Sequence, residues 1–288
     1  MQSASLDSYD PVRTINSGQV FLWQRQLDSW YGIYGQHIVK ISGTRGIHKV
    51  NSYPKSDSIQ SRIFRLDDDV RTIFAELEGD PLIKRLLTKY QGLRLMRQEP
   101  EQCLFSFVCA SNTNIPMIRR MLFNLARRFG SRMALDGLEF YSFPSADTIS
   151  KARISDLLAC GLGYRVKAIK AVAESIVTGA LDFRTLTKMS YHDAKRQLTQ
   201  IYGVGNKIAD CVLLFSLDKL EAFPVDVWIA RALVKNYQWL FESKLSDKLT
   251  PHQYDDITDR ARQHFGRYAG YAQQYLYYHM RHQAGANW

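Results

Sequence analysis

Two rhythms of apolar and polar positions divide the chain. Up to about residue 66, apolar residues come in short runs: Val20-Phe21-Leu22-Trp23, Trp30-Tyr31-Gly32-Ile33-Tyr34, His37-Ile38-Val39-Lys40-Ile41 and Ile47-His48-Lys49-Val50. With Gly35-Gln36 and Gly43-Thr44-Arg45-Gly46 as turns, these runs predict an antiparallel sheet, because the links are too short for a crossover. From Asp67 onward the spacing becomes helical. Val70, Ile73, Phe74 and Leu77 mark a helix that starts at Asp67-Asp68-Asp69 and ends at Gly79. Asp80-Pro81 starts another, with Leu82, Ile83, Leu86 and Leu87 on its core side. Helices are expected around Leu104 to Cys109 and from Ile115 to Phe129, two more between Ser145 and Gly179, and one launched at Ser190-Tyr191-His192-Asp193, which resembles a capping box. Trp239 to Leu249 reads as an irregular surface passage. The expected fold class is α+β: a β-rich N-terminal domain with linking helices over residues 1–92, then an all-α domain over residues 93–288.

Composition narrows the class. A chain of 288 residues, 45% hydrophobic and 12% aromatic, is long and apolar enough for two cores. A net charge of +10 favours an anionic partner, though many soluble proteins are basic. The four cysteines, Cys103, Cys109, Cys160 and Cys211, include no C-x-x-C pair, which argues against zinc and iron–sulfur sites and for buried, reduced thiols. No basic-then-apolar leader opens the sequence and no apolar run reaches membrane-spanning length. The expected setting is intracellular, in cytoplasm, nucleoid or nucleus, with no membrane partner.

The stretch from Leu198 to Arg231 carries the chemistry. It reads as a helix, the hairpin Tyr202-Gly203-Val204-Gly205, a second helix opening at Asn206-Lys207-Ile208-Ala209-Asp210-Cys211, a short connector and a third helix. Two glycines around Val204 suit a reversal at positive φ. The N–H groups at the start of the second helix offer a phosphate site. Lys207 lies in that first turn, where the helix dipole disfavours a cation and brings the amine closer to a usable nucleophile. Asp226, in Phe223-Pro224-Val225-Asp226-Val227-Trp228, opens the third helix. Taken singly, Lys207 reads as a solvated phosphate contact and Asp226 as an ordinary N-cap. Together with the glycines and Ala209-Asp210-Cys211, the pattern is far more specific.

This block resembles the helix-hairpin-helix plus Gly/Pro…Asp motif of the DNA glycosylase superfamily, and the 8-oxoguanine DNA glycosylase branch in particular. The resemblance implies that Lys207 is a Schiff-base lysine and Asp226 its acid partner. Four further segments match in order. Ser17-Gly18-Gln19-Val20-Phe21-Leu22-Trp23 resembles the segment whose glycine carbonyl accepts N7–H of 8-oxoguanine, which makes Gly18 the discriminating residue; an acceptor there would face another acceptor on guanine. Without the resemblance, Gly18 simply serves a turn. Ser111-Asn112-Thr113-Asn114 resembles an asparagine-rich loop, placing Asn112 in the gap left by the flipped nucleotide. Gly161-Leu162-Gly163-Tyr164-Arg165 implies a wedge at Tyr164 and an estranged-base contact at Arg165; helix packing explains Tyr164 equally well without it. In Tyr268-Ala269-Gly270-Tyr271-Ala272-Gln273-Gln274-Tyr275-Leu276-Tyr277, the resemblance gives Gln273 the Watson–Crick edge of the lesion and Tyr277 its face, one helical turn apart. Cys211 packs on the other face, and Gly203, Val204 and Gly205 hold backbone phosphate. Tyr275 reads better as core.

Three positions depart from the family pattern: Thr113 for an asparagine, Met117 for an arginine that reads the opposite cytosine, and Trp228 for a histidine near phosphate. Arg119, Arg120, Arg127, Arg128 and Arg132 read as a solvated face and as candidate backbone contacts. The implied activity is that of a bifunctional glycosylase/β-lyase. It acts as a monomer on duplex DNA containing 8-oxoguanine and needs no metal or redox cofactor. Two alternatives stay open: a monofunctional alkylated-purine glycosylase, against which Lys207 argues, and a non-enzymatic hairpin module, which has no use for Gly18 and Gln273.

Overall fold

In the computed structural model, residues 9–44, 47–241 and 249–285 are described. A short helix, α1 (Pro11–Ile15), precedes an antiparallel meander of β1 (Trp23–Gln26), β2 (Ser29–Tyr34), β3 (His37–Thr44) and β4 (Ile47–Tyr53), paired in sequence order. Helices α2 (Ile59–Ile63), α3 (Val70–Leu77) and α4 (Pro81–Lys89) lead to α5 (Pro100–Cys109) and α6 (Ile115–Phe129). A hairpin of β5 (Arg132–Leu135) and β6 (Leu138–Tyr141) follows, then α7 (Ala146–Lys151), α8 (Ile154–Ala159) and α9 (Val166–Val177). The chain continues through α10 (Phe183–Lys188), α11 (Tyr191–Thr199), α12 (Asn206–Ser216), α13 (Val227–Tyr237), α14 (Pro251–Phe265) and α15 (Ala269–Gln283).

The alternation of the strands sorts their side chains onto two cores. Val39 and Ile41 pack with Trp23, Val50, Ile59, Ile63 and Met96 on one face of the sheet. Tyr31, Ile33 and Ile38 join the other face to the helices, in an apolar core that runs from Phe21 to Leu276 and crosses residue 92 without a break.

The caps follow local chemistry. Asp69 and Asp80 accept backbone N–H groups at the starts of α3 and α4, and Pro81 takes the first position of α4, where its missing N–H costs nothing. Ser190 caps α11 through Asp193 N. Thr250 and Gln253 form a full capping box on α14.

Some elements differ from the sequence expectation. The first strand is Trp23–Gln26 rather than Val20–Trp23: Phe21 and Leu22 leave the sheet for the core, and the polar Gln24, Arg25 and Gln26 form the edge. Between Ser145 and Gly179 there are three α-helices, because extended backbone at Ala152 and Arg153 separates α7 from α8 and a 3-10 turn precedes α9. The expected turn at Arg45-Gly46 and most of the passage from Trp239 to Leu249 lie outside the described residues.

Polar ties hold the sheet against the helices. Asp136, at the β5–β6 turn, accepts from Tyr31 Oη and Lys40 Nζ, both at 2.7 Å. Gln102 on α5 donates to Ile33 O at 2.8 Å and accepts from Gly35 N at 3.0 Å. Arg119 on α6 donates to the Trp23 carbonyl. Of the five arginines expected on a solvated face, Arg119 is thus a strut within the molecule, and Arg128 and Arg132 pair with Asp156 and Glu139.

Candidate active site

Hairpin geometry sets the start of α12. Gly203 has φ +84°, and a Cβ there would stand 2.3 Å from Ala168 Cβ on α9, so only glycine fits. Gly205 differs from the expectation of a second strained glycine. Its φ is −86°, and an added Cβ would meet nothing within 4 Å; it leaves open space at the mouth of α12. Among the described residues no side chain caps α12, so its first-turn N–H groups remain available to an anion.

Lys207, one position inside that turn, points its Nζ over the Phe107 ring, 5.1 Å from the centroid. Phe107 is held by stacking on Phe215 and by an edge contact with Phe21. One turn on, Cys211 is within hydrogen-bonding contact of Lys207, and burial pushes its thiol pKa up to about 12, against the pull of the lysine charge. The thiol therefore stays neutral and apolar in character, as do the other buried, unbridged cysteines.

Asp226 is both an N-cap and a cleft residue. Its Oδ1 accepts from Trp228 N and Ile229 N, each at 2.9 Å, which leaves Oδ2 outside the cap. Part of the side chain is open to the cleft, yet protein surrounds it densely. That burial raises the carboxyl pKa; the Lys207 charge, the two cap N–H groups and Arg281 pull it back down without cancelling the rise.

Behind both residues lies a polar lock. Asp210, fully buried on α12, accepts from Tyr191 Oη at 2.6 Å, Tyr254 Oη at 2.9 Å and Lys195 Nζ at 3.2 Å. Tyr254 Oη in turn accepts from Val225 N at 3.1 Å, which fastens the residue before Asp226 to the helix that carries Lys207. Lys195→Met removes the cation paired with a buried carboxylate and is expected to cost about 3–5 kcal/mol in urea unfolding, whereas Tyr254→Phe costs about 1–3 kcal/mol. Equal, small losses for both would show that Lys195 does not neutralise Asp210.

The Ser17-Gly18-Gln19 turn is pinned from three sides. Gln274 on α15 donates to Ser17 O at 3.0 Å, Gln19 donates to Arg94 O and accepts from Met96 N, and Gln98 donates to Gln19 O. Gly18 has φ +84°, and its carbonyl takes part in none of the hydrogen bonds among the described residues.

These parts surround one cleft of about 740 Å³. Gly18, Asn112, Gly205, Lys207, Cys211, Asp226, Gln273 and Tyr277 all line it. Gln273 is 5% exposed; its Nε2 donates to Pro224 O at 3.0 Å, while its Oε1 is buried with no partner among the described residues. Turning the amide over would set two oxygens against each other, so Pro224 fixes the acceptor end as the free one. Burial also raises the pKa of Tyr277, keeping it a neutral phenol. Tyr275, by contrast, is core: it is 1% exposed and donates to Leu93 O.

Tyr164 and Arg165 do not line the cleft; they stand beside its asparagine loop. Tyr164 is 64% exposed, its hydroxyl donates to Ser111 O at 3.2 Å, and the Arg165 guanidinium lies 4.5 Å from its ring centre. Arg165 also donates to Ser111 O and, at 3.4 Å, to Asn112 O. Asn112 itself has φ +46° and is exposed. Gly203 and Val204 do not line the cleft: Gly203 is exposed on the hairpin and Val204 is buried. The sequence reading missed Phe107, the floor under Lys207, and Arg281, which lines the cleft one turn after Tyr277. Extending the Gln273–Tyr277 spacing by one more turn would have found Arg281.

A sheet is docked on helices, and an amine and a carboxylate on adjoining helix starts face one cleft. Residues 4–104 match the family described as 8-oxoguanine DNA glycosylase, N-terminal domain. The chain is 30% identical to the N-glycosylase/DNA lyase OGG1 of Arabidopsis thaliana over 92% of its own length and 75% of that protein. It is also 30% identical to a probable N-glycosylase/DNA lyase of Methanothermobacter thermautotrophicus, over 76% of this chain and 73% of that one. The solved Clostridium acetobutylicum 8-oxoguanine glycosylase/lyase, in complex with duplex DNA carrying cytosine opposite 8-oxoG, superposes with TM-score 0.85 at 30% identity, covering 96% of this chain and 93% of that one. The chain belongs to the 8-oxoguanine DNA glycosylase family.

Proposed function

We infer that this protein is a base-excision repair enzyme that removes 8-oxoguanine from duplex DNA and cleaves the resulting abasic strand by β-elimination. The observation that carries the reading is the convergence of Lys207, Asp226, Gly18, Cys211, Gln273 and Tyr277 on one cleft large enough for a nucleotide. The lesion leaves the helix stack and enters between Cys211 and Tyr277, a neutral thiol and an aromatic face. Gly18 offers a carbonyl with no donor among the described residues, which suits the N7–H that distinguishes 8-oxoguanine from guanine. The buried Gln273 Oε1 is a second vacant acceptor, suited to an N–H on the Watson–Crick edge.

For the chemistry, the Lys207 amine lone pair forms a bond to C1′ as the glycosidic bond breaks, and that bond's electrons leave with the base. Asp226 stabilises the positive charge that develops on the sugar. Loss of the ring oxygen bond gives a Schiff base, removal of a C2′ proton follows, and the C3′–O bond breaks to release the 3′ phosphate. The uncapped first turn of α12 and the hairpin backbone grip a neighbouring phosphate. Tyr164 fills the stack, and Arg165 turns from the Ser111 carbonyl to the estranged base.

A panel of purified duplexes separates the readings. Release of 8-oxoguanine with strand scission is the expected result; release of methylated purines without scission would assign the monofunctional alternative, and binding without release the non-enzymatic one. The same panel tests the opposite base. Met117, 40% exposed at the start of α6, offers a base edge no donor and only a weak thioether acceptor, so discrimination falls chiefly to Arg165. Losing one bidentate contact forfeits about 1–3 kcal/mol of discrimination, so single-turnover excision opposite adenine, guanine or thymine is expected within roughly a hundredfold of that opposite cytosine. Met117→Arg is expected to widen that gap; no change would remove position 117 from opposite-base reading.

A further inference from the structure

Besides Lys207, one other cationic side chain lines the cleft among the described residues: Arg281. Gln273, Tyr277 and Arg281 stand at successive turns of α15 and form a single stripe along the cleft wall. The Arg281 guanidinium carbon lies 5.6 Å from the Trp228 ring centre and 5.9 Å from that of Tyr277, and both rings also line the cleft. Its charge reaches Asp226 as well.

A basic residue in the last turn of a helix has an ordinary explanation, compensation of the helix dipole. His282, the next residue, is exposed in that same turn. Arg281 is different: it is folded inward against two aromatic rings beside the carboxylate. A guanidinium that gives up hydration in this way is held in plane by the rings and presents its fork in a fixed direction.

We propose that Arg281 is a phosphate-binding residue, seated between Trp228 and Tyr277 to take the oxygens of a phosphodiester flanking the everted nucleotide. The proposal rests on the cleft being the nucleotide pocket. The sugar of that nucleotide must reach both Lys207 and Asp226. Its two phosphates hang from C3′ and C5′ of the same sugar, so one of them comes within reach of a cation that already senses Asp226. Phosphate oxygens match the guanidinium fork bidentately. Trp228 brings only an indole N–H and no charge, so it serves as the platform and Arg281 as the contact.

The test is binding to duplexes that contain a tetrahydrofuran abasic analogue, with each flanking phosphate replaced in turn by a neutral methylphosphonate. Wild type is expected to lose about tenfold in affinity for one of the two replacements. Arg281→Met, which keeps a long apolar stem against the rings, is expected to bind the unmodified duplex about tenfold more weakly. It should then lose little more with the methylphosphonate, and its log–log salt slope should fall by about 0.9. Arg281→Lys retains the charge without the fork and should bind weakly yet still respond to the neutral linkage.

If Arg281→Met is as sensitive to the methylphosphonate as wild type, the proposal is overturned. Unchanged binding with a displaced acid limb of activity overturns it too, since Arg281 would then act only on Asp226. If wild type shows no preference for the abasic duplex over an intact one, the nucleotide-pocket reading itself fails, and Arg281 falls with it.

Discussion

Lys207→Gln is expected to give no covalent adduct when borohydride is added to enzyme and DNA containing 8-oxoguanine, while wild type is trapped. Glutamine, one bond shorter, keeps a polar unbranched side chain over Phe107 but has no amine to form a Schiff base. Strand scission should fall by at least about a thousandfold, as expected when the group that forms the covalent intermediate is removed. Binding to an abasic-analogue duplex should persist, because Gly203 still shapes the hairpin and α12 keeps its uncapped first turn. Trapping of Lys207→Gln at the wild-type level would move the nucleophile elsewhere.

Asp226→Asn is expected to slow excision by about 10²–10³-fold, the range lost when one electrostatic stabiliser of the transition state is removed. Asparagine is as good an N-cap as aspartate, so α13 retains its start and the loss is not one of folding. The pH profile carries a second signature. Burial holds the Asp226 carboxyl above its ordinary value, and the working form is the ionised one. As pH falls through that raised value the carboxylate gains a proton and no longer attracts the positive sugar. Wild-type excision should therefore decline from a higher pH than the ordinary aspartate value of about 4 would give. In Asp226→Asn that limb should vanish, leaving a flatter profile in single-turnover rates. A limb that survives unchanged in the variant would assign it to another group.

Much of this molecule was legible in its sequence where short-range chemistry decides the outcome. The helix from Val70 to Leu77 and the helix from Ile115 to Phe129 follow from apolar spacing and from Asp69, Asn114 and Gly130 at their ends. Asp80-Pro81 and Ser190 announce helix starts in the same way. The hairpin of β5 and β6 went unread: Asp136-Gly137 is a dipeptide that favours a tight reversal, but strands of four residues are too brief to show a clear alternation. The boundary of β1 was hidden because Phe21 and Leu22 look like strand residues and are recruited by the helices instead.

The site was legible as a set of residues rather than as an arrangement. Lys207 and Cys211 share a helical turn, so their proximity follows from sequence. The approach of Gly18 to Gln273 depends on α15 crossing the whole chain to donate from Gln274 to Ser17, a bond between residues 257 positions apart. The Asp210–Tyr254–Val225 chain is equally non-local. Asp226 showed the limit of reading one role per residue, for it caps α13 with one oxygen and leaves the other outside the cap.

The tie from Gln274 to Ser17 has a consequence for how lesions are sought. With the Ser17-Gly18-Gln19 turn already fastened to α15 in the protein alone, Gly18 and Gln273 both stand in the cleft lining before any duplex arrives. The entropy of bringing Gly18 opposite Gln273 is spent during folding and is not charged to the encounter. What remains for the encounter is the cost of drawing the damaged base out of the stack.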